Sequence, residues 1–173
     1  MSVIMKAKYT LTSLSISSFK HFKISSLKKI SEITKLTKLE INASNFKEND
    51  EFFQIIDLLK VRSLKIHHHL PWLDFLHHYG GSLGRSLVRL ALSCPELEHL
   101  DISGCLLTDL KIKEPDFTEF LCIASQARLK HLDIRDCEFD CINQFQLFIK
   151  NMKLKYPQIK IVDNGIEWIA MNW

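Results

Sequence analysis

The sequence predicts an α/β solenoid of about six strand-and-helix units, with short parallel strands on one side and return helices on the other. Three observations predict it. An apolar spacing recurs along the chain, amphipathic segments separate its copies, and the composition is that of an ordinary globular protein, with 46% hydrophobic and 25% charged residues in 173. Residues 1–173 read as a single domain, with 1–10 as an N-terminal edge segment and 165–173 as a C-terminal cap.

The repeat is sharpest at Leu97-Glu-His-Leu100-Asp-Ile102-Ser-Gly-Cys105 and Leu129-Lys-His-Leu132-Asp-Ile134-Arg-Asp-Cys137. The two copies share even His and Asp at the variable places. Weaker copies are Leu11-x-x-Leu14-x-Ile16, Leu36-x-x-Leu39-x-Ile41, Val61-x-x-Leu64-x-Ile66 and Tyr156-x-x-Ile159-x-Ile161-x-x-Asn164. First positions at 11, 36, 61, 97, 129 and 156 give steps of 25, 25, 36, 32 and 27. Alternation along each strand sends Leu100 and Ile102 inward and His99, Asp101 and Ser103 to the other face. Leu87-x-x-Leu90-x-Leu92 has the same spacing but ends five residues before Leu97, too close for a return connection, so it reads as helix.

Parallel strands need crossovers, and the intervening segments supply them. Ile24, Leu27, Ile30 and Ile33 form the first stripe. Glu48-Asn-Asp50 precedes a second, with Phe52, Phe53, Ile55, Ile56, Leu58 and Leu59. Pro71 opens a third that stops at Gly80-Gly81, following the preference for proline at helix starts and glycine at helix ends. An extra helix over Leu83–Ser93 accounts for the step of 36, and Pro115-Asp116 opens the stripe Phe117, Phe120, Leu121, Ile123. Ile142, Phe145, Phe148, Ile149 and Met152 lead into the last strand.

Composition narrows the function classes. No run approaches the ~20 apolar residues of a membrane helix, and the N-terminus lacks a signal-peptide core, so the expected location is cytoplasmic or nuclear. Five cysteines, at 94, 105, 122, 137 and 141, read as buried free thiols rather than a disulfide framework. Cys137-x3-Cys141 alone is a thin zinc signal. Residues 1–38 carry eight lysines against Glu32, while 95–140 carry eleven acids against five bases. Lys20, Lys23, Lys28 and Lys29 form a basic surface with few aromatics, so no nucleic acid is expected as partner.

Two histidine groups invite chemistry. His67, His68 and His69 with His77 and His78 could supply zinc ligands, but side-chain alternation splits the first three, and the last two lie on the following helix. A metal-dependent hydrolase built on them is therefore the weakest reading. His99-Asp101-Ser103 beside His131-Asp133-Arg135 contains triad residue types, yet columns on adjacent strands form a shallow, wet surface rather than a closed pocket. The five glycines show no phosphate-loop spacing. No catalytic residue, metal, cofactor or small-molecule substrate is assigned, and the chain does not read as an enzyme.

The segment Cys94-Pro-Glu-Leu-Glu-His-Leu-Asp-Ile-Ser-Gly-Cys105 resembles leucine-rich repeats of the cysteine-containing subclass, found in F-box/LRR proteins and related substrate receptors of cullin ubiquitin ligases. The resemblance spans about residues 11–164 and is specific over 94–137. Two steps, 36 and 32, exceed the ~20–29 residues usual for such repeats, and no F-box motif is evident in the sequence. The resemblance implies strands on a concave face, helices on a convex face, and a protein ligand held on the concave side. It also implies the setting of a substrate-recognition or adaptor subunit, with cullin-ligase subunits as partners. The expected protein-binding residues are Lys65, His67, His99, Asp101, Ser103, His131, Asp133 and Arg135, flanked by Ser13, Ser15, Lys38, Glu40, Ser63, Gln158 and Lys160. Paired carboxylates beside one guanidinium point to a basic ligand. The alternative is a structural assembly subunit that uses its convex helices or its ends.

Overall fold

The computed structural model describes residues 9–16, 28–42, 60–67, 83–104, 113–137 and 145–163, with backbone alone at 42, 67, 83–86 and 145. Among these residues are six strands: β1 (Ser13–Ile16), β2 (Lys38–Asn42), β3 (Ser63–His67), β4 (His99–Asp101), β5 (His131–Asp133) and β6 (Lys160–Val162). Three helices are described: α1 (Leu83–Ser93), α2 (Glu114–Gln126) and α3 (Phe145–Lys155). A further helical turn covers residues 28–30. The predicted helical stripes at 52–59 and 71–80, most of the edge segment 1–10 and the cap 165–173 lie outside the described residues.

The strands form one sheet in the order β1-β2-β3-β4-β5-β6, and each pairs parallel to the next. This is the arrangement the repeat demands, because each strand is followed by a crossover that returns the chain to the same end. Leu14, Leu39, Leu64, Leu100, Leu132 and Ile161 fall in one cross-strand row. With Ile16, Ile41, Ile66, Ile102 and Ile134 they belong to, or pack against, a single apolar cluster that also takes Leu87, Leu90, Phe117, Phe120, Leu121, Phe148 and Ile149 from the helices. The helices therefore cover one face of the sheet. Phe117 ties α2 to α3, its ring 6.0 Å from that of Phe148.

Repetition extends to the backbone. The carbonyl just before a strand accepts two amides from the next unit: Thr12 from Thr37 and Lys38, Thr37 from Arg62 and Ser63, Arg62 from Glu98 and His99, and Glu98 from Lys130 and His131. The first repeat positions Leu36, Val61, Leu97 and Leu129 are buried beneath these turns. α2 starts as its sequence dictates, with Pro115 in the first turn and Glu114 and Asp116 complementing the positive helix end. In α3, Lys153 and Lys155 sit in the last turn, where cations suit the negative end.

The last unit departs from the predicted spacing. Ile161, not Ile159, pairs with Leu132, and Val162 lies opposite Asp133. Ile159 donates its amide to Tyr156 as Leu97 does to Cys94, so the Pro157 turn is the counterpart of the Pro95 turn. Ile159 thus occupies the first-position slot, and one residue is missing before the strand. Gln158, expected on the polar face, instead lies in this turn. The cysteines also differ from expectation. Cys94 is buried, whereas Cys122 is exposed on α2 and Cys137 is intermediate. Position 122 lies at a solvent-facing helix site, and Cys137, in a turn, packs only partly buried against the edge of the core. Cys105, Cys141 and Asn164 are outside the described residues, as is Cys105's role in its turn, but Cys137 donates its thiol to the Ile102 carbonyl at 3.2 Å.

Candidate functional site

Opposite the helices, the sheet presents two polar columns. The first runs Ser13, Lys38, Ser63, His99, His131, Lys160, and the second Ser15, Glu40, Lys65, Asp101, Asp133, Val162. Ser13, Ser15, Lys38, His99 and Lys160 are exposed, and Glu40, Ser63, Lys65 and His131 half-buried. Period-two alternation puts them there: the burial of the strand leucines and isoleucines, partial at Leu14, forces the residues between them outward.

The predicted patch is brought together in the register expected. His99 and His131 are direct cross-strand neighbours, their rings 5.7 Å apart and tilted by 39°. Lys65 reaches across from β3 to Asp101 at 3.0 Å. His67 lies opposite Asn42 at the end of β3; its side chain is outside the described set.

The carboxylates do something other than wait for a ligand. Asp101 Oδ1 accepts the Ser103 amide at 2.9 Å and the Ser103 hydroxyl at 2.6 Å. Asp133 Oδ1 accepts the Arg135 amide at 3.1 Å, and the Arg135 guanidinium closes on both carboxylate oxygens, with Nη2 to Oδ2 at 2.7 Å. Each is a side chain bonded to the backbone two residues on, the Asx turn that ends a strand. The aspartate shared by the two best copies is thus the device that turns the chain off β4 and β5. Burial pushes the Asp101 carboxyl up, but the Ser103 bonds and Lys65 outweigh it and hold it below the usual range. At Asp133 burial likewise opposes ionisation, and the Arg135 hydrogen bonds prevail, leaving its pKa lowered. Beside the patch, Glu98 is also lowered, first by the hydrogen bond from Lys130 at 3.2 Å.

Sequence reasoning placed Ser103 and Arg135 as ligand contacts, and here they first serve Asp101 and Asp133. The rim of bases, Arg62, Arg128 and Lys130, was missed. It sits at or near the position before β3 and β5, where the backbone turn throws long side chains to the edge of the polar face. The signal was legible as Arg62, Glu98 and Lys130 at equivalent repeat positions.

Chemically the arrangement can form hydrogen bonds and ion pairs over a broad surface. Asp101 and Asp133 are committed to Ser103, Lys65 and Arg135, so neither orients an imidazole as a hydrolytic triad requires. Among the described residues no three His, Cys, Asp or Glu side chains are grouped as metal ligands, and His68, His69, His77 and His78 lie outside them. No helix among the described residues is long and apolar enough to cross a membrane. No family model matches the chain, and comparisons with curated proteins and with solved structures give no match.

Proposed function

We propose that the chain is a protein-interaction module, a leucine-rich-repeat solenoid that holds a protein ligand on the strand face. The observation that carries this reading is the pair of polar columns, one continuous over six parallel strands and the other over the first five, with outward groups at Lys38, His99 and Lys160 left exposed. A broad surface with several hydrogen-bonding side chains in fixed register suits an extended segment, whose groups repeat at comparable spacing. The repeat-by-repeat backbone bonding supports the solenoid, since among the described residues each unit bonds to the next. The likeness of residues 94–137 to F-box-type repeats supports work as a substrate-recognition or adaptor subunit of a ubiquitin ligase in the cytoplasm or nucleus.

Affinity purification of the tagged chain, with mass spectrometry of what accompanies it, tests the reading. Wild type captures a defined protein set, with cullin-ligase subunits in it if the ligase setting holds. The double variant His99→Glu, His131→Glu loses that set while keeping its circular dichroism. Unchanged capture counts against the face. A second reading, an assembly subunit that docks through its helices, draws on the exposed Leu92 of α1 and the exposed Leu147 and Leu154 of α3. Capture lost in Leu147→Glu, Leu154→Glu and kept in the histidine variant supports that alternative.

A further inference from the structure

The stretch 95–140 is acidic in sequence, yet in the ion pairs along the sheet the acid is the more buried partner and the base the more exposed one. In the pairs Lys65–Asp101, Arg135–Asp133 and Lys130–Glu98 the base is exposed by 40%, 52% and 67%, and the acid by 25%, 8% and 21%. Arg62–Glu98 and Arg128–Glu96 at the rim have the same polarity. The cause lies in the turns: aspartate is short enough to reach its own backbone, and glutamate at 98 lies beneath the longer Arg62 and Lys130. The second column and rim therefore offer a ligand the outer edges of guanidinium and ammonium groups. The first column carries exposed lysines at Lys38 on β2, beside the terminal Ser13, and at Lys160 on β6, about 19 Å apart for neighbouring parallel strands. Between them stand Ser63, His99 and His131.

From this polarity we infer that the partner is an acidic protein segment, not the basic one that the aspartates alone suggest. The inference rests on the strand face being the binding surface. Carboxylates laid along the first column from β2 to β6 meet the ammonium groups of Lys38 and Lys160 with the imidazoles between, while the outward bases set the sign of the field that guides encounter. A nucleic acid fits less well. The bases on the second column and rim are already paired to carboxylates, whereas polyanion binding draws on many cations free to replace counterions. Apart from the two imidazoles, the columns hold no ring on which bases could stack.

Fluorescence anisotropy with the full chain tests this, using three labelled probes: a twelve-residue peptide alternating Glu and Ser, its Lys counterpart, and a single-stranded oligothymidylate. The expected result is that the Glu peptide binds tightest and that added salt weakens it. Lys38→Glu with Lys160→Glu weakens it by roughly fivefold or more, and Lys150→Glu on α3 leaves it unchanged. Circular dichroism checks that each variant is folded. If the Lys peptide binds tighter and the column variants still alter its binding, the acidic partner is overturned while the face remains the binding surface. Tightest binding of the oligonucleotide overturns the protein partner in favour of nucleic acid. Binding of no probe overturns the inference. Probe binding that ignores column variants but falls with Lys150→Glu overturns both the inference and the face.

Discussion

Asp101 and Asp133 stand at the same repeat position and do the same work, each accepting the amide two residues on. Their neighbours differ: Gly104 has φ +72°, and at the equivalent place Asp136 has φ +61°. A left-handed residue there costs a non-glycine side chain about 1 kcal/mol. Since a Cβ at Gly104 would meet nothing within 4 Å, the cost of Gly104→Ala is conformational, about 1 kcal/mol in urea denaturation. Asp136→Gly should run the other way and gain roughly 0.5 kcal/mol, its lost interactions offsetting part of the relief. The aspartates also give acid sensitivity a definite sign. A carboxyl whose pKa is lowered on folding stabilises fully above its unfolded value, ~3.9, and that contribution disappears as pH falls through the lower folded value. Stability of the wild type should therefore decline from about pH 5 downward. Asp133→Asn should be less stable at neutral pH and show a shallower decline, as urea midpoints across pH 2–7 would reveal.

At the scale of elements, the two strong repeats were legible because leucine, isoleucine and the variable residues all recur at fixed offsets. Strands β1 to β5 and the bounds of α1 follow from that spacing and from amphipathic stripes. The last unit was not legible in register. Tyr156, Ile159 and Ile161 satisfy the apolar pattern in either alignment, and only the Pro157 turn, matched with Pro95, chooses between them. The aspartate turns were hidden for a related reason, since a polar residue on a strand reads as a surface group until its backbone partner is known. Packing is most demanding where strands meet helices. Leu100 and Leu132 are fully buried in the common cluster, so either truncated to Ala should cost about 2–5 kcal/mol. Lys160→Ala, exposed on β6 of the same sheet, should stay within about 0.5 kcal/mol by the same denaturation measurement.

For the molecule as a whole, one sheet face is consumed by the core and the other is left polar. That division follows from alternation along the strands together with helices that return on a single side. Segregation of charge adds to it: the acids of the strand ends hold turns and bases, and the bases face outward. The proposal of a binding surface depends on this division, and the rival surface is the outer side of the helices. Site-specific photo-crosslinking separates them most directly, with a benzophenone side chain at position 99 on the strand face or at position 122 on the exposed side of α2. In cell extract the account predicts a discrete protein adduct from position 99 and none from 122. An adduct from 122 with none from 99 would contradict it.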